Sequence, residues 1–221
     1  MLDFSSGGSN NSDMSRPYSD ARIGLDLDNT LISYDRLFLE IAVERGVVPK
    51  NFAGTKRDIR DRIRLLPDGD LEWQRLQAHV YGSAIGTANP APGALDFIRA
   101  ARLHGAELAI VSHKTTFANV GTHKVNLRDA AREWLRARGM VGPDAVPESN
   151  VYFESTRNDK IERIISLRCT HFIDDLEEVF NDPAFPTGVK RLLLSAAATV
   201  PSIAYQTYAS FHEIADAFVA D

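Results

Sequence analysis

The sequence predicts an α/β fold: a Rossmann-like parallel sheet with helices on both faces and a helical cap inserted after the first strand. Three observations carry this. Short apolar runs recur and stop abruptly at polar residues, as in Ile23-Gly24-Leu25-Asp26-Leu27-Asp28-Asn29-Thr30-Leu31, which is how a strand buried on both faces reads. Helical segments separate most of these runs, the alternation of a doubly wound sheet. Between about residues 34 and 89 that alternation stops and only helical spacing is found.

The elements follow in order. Residues 1–20 are rich in Ser, Gly, Asn and Asp, with neither a basic start nor an apolar core. They read as a disordered leader rather than a secretion signal. Core residues 21–33 hold the first strand. Residues 34–46 carry Leu37, Phe38, Ile41 and Ala42 at helical spacing, and residues 55–66 do so with Ile59, Ile63 and Leu66. Pro67-Asp68-Gly69-Asp70 turns into a third helix through Trp73, Leu76, Val80 and Tyr81. These helices make residues 34–89 the cap, and Asn89-Pro90-Ala91-Pro92-Gly93 returns the chain to a core that runs over residues 90–221.

There the alternation resumes. Helix 94–103 leads to a strand at 107–112, a long polar stretch over 113–126 and a helix at 127–138. A strand at 150–154, a short helix at 160–167, strands at 170–174 and 190–195, and a helix at 211–219 complete the chain.

Composition narrows the function. The net charge of −5 offers no general attraction to nucleic acid or to an anionic membrane. No apolar run approaches the roughly 20 residues of a spanning helix. The lone Cys169 allows no internal disulfide or thiolate cluster, and it reads as a core thiol. The six histidines include no pair at zinc-site spacing. The expectation is a cytoplasmic protein with neither nucleic acid nor membrane as partner.

The polar residues at the strand ends carry the chemistry. The first strand runs into Asp26 and Asp28, the second ends in Ser112, and the fourth ends in Asp174-Asp175, with Lys160 opening the helix before it. Ligands of doubly wound sheets bind outside the carboxyl ends of the strands. Carboxylates gathered there repel one another unless they hold a hard dication, and oxygen-only ligands favour Mg²⁺. A lysine and a hydroxyl beside such an ion suit a phosphate.

In this order the motifs resemble those of the haloacid dehalogenase-like (HAD) hydrolases, over about residues 21–219. The apolar strand followed by DxDxT stands as Asp26-Leu27-Asp28-Asn29-Thr30, the strand-ending hydroxyl as Ser112, the lysine as Lys160 and the acidic pair as Asp174-Asp175. The resemblance implies a Mg²⁺-dependent phosphatase in which Asp26 becomes an aspartyl-phosphate and Asp28 is the general acid and base. It implies metal binding by Asp26, the Asp28 backbone carbonyl, Asp174 and Asp175. Ser112 and Lys160 would bind the phosphoryl oxygens, with Asn29, Thr30 and His113 as further phosphate-site residues. Lys114 and Lys124 are alternatives for the lysine role. A small cap implies a small phosphorylated metabolite, a sugar or polyol phosphate first. Two other outcomes stay open on the same residues: a phosphoryl transferase or mutase, and a non-catalytic binding protein of this fold.

Other features have plainer readings. Lys56, Arg57, Arg60 and Arg64 include a helical stripe that could meet an anionic substrate, and the plainer reading, preferred here, is a solvated face paired with Asp58 and Asp61. Trp73 and Trp134 read as core anchors.

Overall fold

The computed structural model describes residues 18, 20–118, 120, 125–196 and 202–220. The chain opens with β1 (Arg22–Leu25) and a two-residue β2 (Ile32–Ser33), followed by helices α1 (Asp35–Glu44), α2 (Lys56–Arg64) and α3 (Gly69–Tyr81). It returns through β3 (Asn89–Pro90) to α4 (Ala94–Leu103), β4 (Glu107–His113), α5 (Leu127–Ala137), β5 (Val151–Glu154) and α6 (Arg157–Ser166). It ends with β6 (His171–Asp174), α7 (Glu177–Phe180), β7 (Lys190–Leu194), β8 (Gln206–Tyr208) and α8 (Phe211–Ala220).

Six strands form one sheet in the order β5-β4-β1-β6-β7-β8, and every neighbouring pair is parallel. From β1 the chain moves outward through β4 and β5, then crosses back to place β6 on the other side of β1. β1 and β6 therefore flank the point where the winding reverses, the place where open α/β sheets leave a crevice for ligands.

Strand alternation divides the core in two. Leu25, Ile110, Ile173 and Leu192 pack with Phe97, Ile98, Trp134 and Phe211, side chains of α4, α5 and α8. Ala109, Val111, Phe172 and Leu193 pack with Ile161, Ile164 and Phe180, side chains of α6 and α7. Gly24 pairs with Phe172 across the β1–β6 ladder, and a Cβ on Gly24 would lie 2.4 Å from the Phe172 ring. The glycine is what lets that ring lie over β1.

β2 and β3 pair antiparallel and bring together the two chain segments that lead to and from α1–α3. These helices pack on one another through Phe38, Ile41, Ile59, Ile63, Trp73 and Leu76, all buried, with the Phe38 and Trp73 rings stacked 5.3 Å apart. α2 starts at a capping box in which Thr55 and Asp58 bond each other's backbone N–H.

The structure adds to the sequence reading. β8 and α7 were not expected. α6 begins at Arg157, with Thr156 as its N-cap, so Lys160 lies one turn inside the helix rather than opening it. Of the expected leader, only Tyr18 and Asp20 are described, and Tyr18 is buried, stacked 4.9 Å from Phe218. That residue belongs to the core because its ring seals the α4–α8 side. Among the described residues no helix is long and apolar enough to cross a membrane.

Candidate active site

Asp26 is the first residue beyond β1. Its backbone N–H donates to the Ile173 carbonyl at 2.9 Å, so the chain is still laddered to β6 where the carboxylate emerges. Asp174, the last residue of β6, is fully buried, and one of its oxygens accepts the Leu176 N–H at 3.0 Å. Between them comes Lys160, only 2% exposed, which donates to Asp26 Oδ1 at 2.6 Å and to Asp174 Oδ2 at 2.7 Å. Helix α6 lies against β4 and β5, and its second turn carries this lysine to the strand ends.

A second ion pair lies beside the first. Lys114 is buried and donates to both oxygens of Asp28, at 2.7 and 3.0 Å. The Tyr34 hydroxyl donates to Asp28 Oδ1 at 2.7 Å. Asn29 has a positive φ of 61°, a conformation that asparagine tolerates better than most residues and that turns the chain back after Asp28. Its side chain hydrogen-bonds Asp175, and the buried Thr30 hydroxyl donates to Asp175 Oδ1 at 3.4 Å.

Burial dominates the electrostatics. It pushes the Asp26 carboxyl well above the ordinary range, and the charges of Asp174 and Asp175 add to this. The Lys160 ammonium offsets only part of the rise. Burial and the Asp174 charge push Asp175 up to about 7. Burial would lower Lys160, but the carboxylates of Asp26 and Asp174 outweigh it and hold the ammonium above the usual lysine value.

The donor set fits a hard dication. Asp26, Asp174 and Asp175 each present an oxygen, and these oxygens all lie within 4.8 Å of one another. One ammonium against three carboxylates leaves an excess of two negative charges, which one divalent ion cancels. Such all-oxygen sets are those of Mg²⁺ and its relatives.

A cavity of about 510 Å³ opens beside these residues, lined by Asn29, Asp175, Tyr34, Trp73, Lys56, Arg57 and Arg60 among others. Trp73 is buried as expected of a core anchor, yet it also borders this space. Arg57 and Arg60 both reach Asp61, and Arg64 reaches Asp70, as a solvated stripe would. Lys56 departs from that stripe and turns inward, donating to the Tyr81 hydroxyl at 2.7 Å.

The structure thus brings together Asp26, Asp28, Asn29, Thr30, Lys160, Asp174 and Asp175. Ser112 is buried near the end of β4, next to the strand that delivers Asp26. His113 is not brought in: it is exposed, and its ring nitrogen Nε2 lies 3.0 Å from the Ser155 carbonyl. The reason is local, because Ser112 and Lys114 are two apart on the extended chain while His113 faces the other way. Lys124 lies outside the described residues. Trp134 is a core anchor, its indole N–H bonded to the Ala88 carbonyl at 3.0 Å. Cys169 is buried, and burial pushes its thiol up to about 11, as in an inert core position.

No protein-family model and no curated protein matches the sequence. Solved structures do match the fold. A HAD-family hydrolase from Deinococcus radiodurans, with bound phosphate and sodium, has a TM-score of 0.55 at 18% identity, over 92% of this chain and 96% of that one. YfnB from Bacillus subtilis, described as a HAD hydrolase and bound to magnesium, has a TM-score of 0.55 at 12% identity, over 90% and 99%. A predicted phosphoglycolate phosphatase from Haemophilus somnus has a TM-score of 0.51 at 16% identity, over 89% and 96%. The chain has the α/β fold of the HAD hydrolases over most of its length.

Proposed function

We propose that this chain is a Mg²⁺-dependent phosphomonoester hydrolase that works through an aspartyl-phosphate on Asp26. The observation that carries this reading is the buried Asp26–Lys160–Asp174 cluster at the switch point of the sheet. Two further carboxylates, Asp28 and Asp175, flank it. Burying so many acids at one place costs several kcal/mol per ion, a cost that a bound cation offsets and a catalytic role explains.

The residues divide the work. Lys160 fixes the Asp26 carboxylate by one oxygen, which orients it to attack phosphorus as the ester oxygen leaves. Asp28, two residues on and partly exposed, protonates the leaving oxygen and then takes a proton from the water that cleaves the acyl phosphate. Lys114 and Tyr34 hold its carboxylate by three hydrogen bonds and fix its position beside Asp26. Ser112 donates to the transferring phosphoryl oxygens, and Asn29 and Thr30 hold Asp175 in place. Mg²⁺ bound by Asp26, Asp174 and Asp175 would offset charge on the transferring phosphoryl oxygens. The helices α1–α3 act as a cap whose cavity receives the rest of a small phosphorylated metabolite. The bound phosphate of the Deinococcus protein and the magnesium of YfnB support this class of ligand.

The test is phosphate release from a panel of phosphomonoesters, with Mg²⁺ and with chelator, by wild type and Asp26→Asn. Release should need Mg²⁺, and the variant should lose at least about a thousandfold in kcat. Release that survives Asp26→Asn contradicts the assignment.

A further inference from the structure

Among the described residues Lys56 forms no ion pair. Its ammonium donates to the Tyr81 hydroxyl and lies 4.7 Å from the centre of the Phe38 ring. Among the described residues no carboxylate comes within 4.0 Å of it, although Asp35 lines the same cavity. The nearest carboxylates are bonded elsewhere or lie too far for an ion pair with it. Asp28 is bonded to Lys114, Asp26 and Asp174 are bonded to Lys160, and Asp175 and Asp35 act on Lys56 only from beyond ion-pair distance. Burial lowers the Lys56 pKa against the pull of Asp28, Asp175 and Asp35, so the charge is held at a cost in this environment.

We infer that Lys56, with Arg57 and Arg60 beside it, binds a second anionic group of the substrate. The inference rests on the phosphatase reading of the site. It moves the substrate class from sugar or polyol phosphates to phosphomonoesters that carry a carboxylate or a second phosphate. The geometry agrees in two ways. The three cations line a cavity that also reaches Asn29 and Asp175, so a ligand there can span from the Asp175 edge of the acidic cluster to the cations. A volume of about 510 Å³ suits a small metabolite. A neutral polyol tail would leave Lys56 uncompensated, whereas an anion gives it a charge-assisted partner in a site partly shielded from water.

Matched esters that differ only in the second anion test this. The pairs are 3-phosphoglycerate against glycerol 3-phosphate and fructose 1,6-bisphosphate against fructose 6-phosphate. Wild type should prefer the anionic member of at least one pair by about tenfold in kcat/KM, the worth of one charged hydrogen bond. The pair that shows it tells carboxylate from phosphate. Lys56→Gln should bring that preference to within about threefold, and Arg60→Gln should reduce it. Equal kcat/KM within both pairs, or a preference that survives Lys56→Gln, overturns the inference.

Calorimetry on Asp26→Asn with the same four esters separates this failure from that of the phosphatase reading. If nothing is hydrolysed but an anionic ester binds about tenfold tighter than its partner and loses this on adding Lys56→Gln, the hydrolytic reading falls and the anion site stands. Equal binding of all four overturns the anion site.

Discussion

Replacing Lys160 by Met keeps a flexible stem of similar bulk and removes the ammonium bonded to Asp26 and Asp174. The two carboxylates left behind are 5% and 0% exposed. Breaking a buried pair in this way costs about 3–5 kcal/mol, because the remaining charge has no partner. Protonation limits the loss. Holding one carboxyl neutral at pH 7.5 against an ordinary value near 4 costs about 5 kcal/mol, and at pH 5 about 1.5 kcal/mol. The Lys160 pKa is raised in the fold, so its contribution is complete below the ordinary lysine value and fades only as pH climbs through the raised one. At pH 7.5 the full effect is therefore present.

Urea unfolding without divalent metal should show a loss of about 4 kcal/mol at pH 7.5, with the slope m unchanged, shrinking to under about 2 kcal/mol at pH 5. Such a loss is a large part of the 5–15 kcal/mol that holds a typical domain together. Adding Mg²⁺ should recover more stability in the variant than in wild type, because the dication replaces the missing charge. A loss below about 1 kcal/mol at pH 7.5, or one that does not change with pH, would refute the reasoning.

The raised carboxyls of Asp26 and Asp175 make metal binding pH-dependent. Below about pH 7 a cation must displace the Asp175 proton, so Mg²⁺ affinity should climb by about tenfold per unit between pH 5.5 and 7. An affinity flat over that range, by calorimetry, contradicts this. The same shifts make the metal-free protein less stable as pH rises from about 4 toward 7, since the unfolded chain gives up its protons first. Gly24→Ala forces a methyl into the Phe172 ring and should cost about 1–3 kcal/mol in urea unfolding, with the site residues unchanged. Lys114→Met frees Asp28 from its ammonium, so the phosphorylation step, read in a single turnover, should slow at least about tenfold on an alkyl phosphate and much less on p-nitrophenyl phosphate, whose leaving group needs no acid. Equal losses on the two esters would remove Lys114 from the positioning of Asp28.

The acids were legible because an apolar run that stops at a carboxylate leaves few structural explanations, and Asp26, Asp174 and Asp175 each follow such a run. Their convergence was legible once β1 and β6 were recognised as parallel. Other features were hidden by short range or weak pattern. β8 reads Gln206-Thr207-Tyr208, too short and polar to show as a strand until β7 offers its edge. Thr156-Arg157-Asn158-Asp159 carries an N-cap that would have started α6 a turn earlier. Its charge groups Lys56 with a solvated stripe, but it shares a helix face with Ile59 and Ile63, both buried. That face turns inward, and the lysine goes with it. The pairing of Lys114 with Asp28 joins residues 86 apart, and no local pattern announces it.

The central claim is that Asp26 carries phosphate covalently while Asp28 moves the protons. Asp28→Asn mixed with p-nitrophenyl phosphate and Mg²⁺ tests this directly, because the good leaving group needs no acid while hydrolysis of the intermediate still needs a base. The account predicts a burst of about one equivalent of nitrophenol and a hydroxylamine-labile phosphoryl group that maps to Asp26. Steady phosphate release with no burst and no phosphoprotein would contradict it.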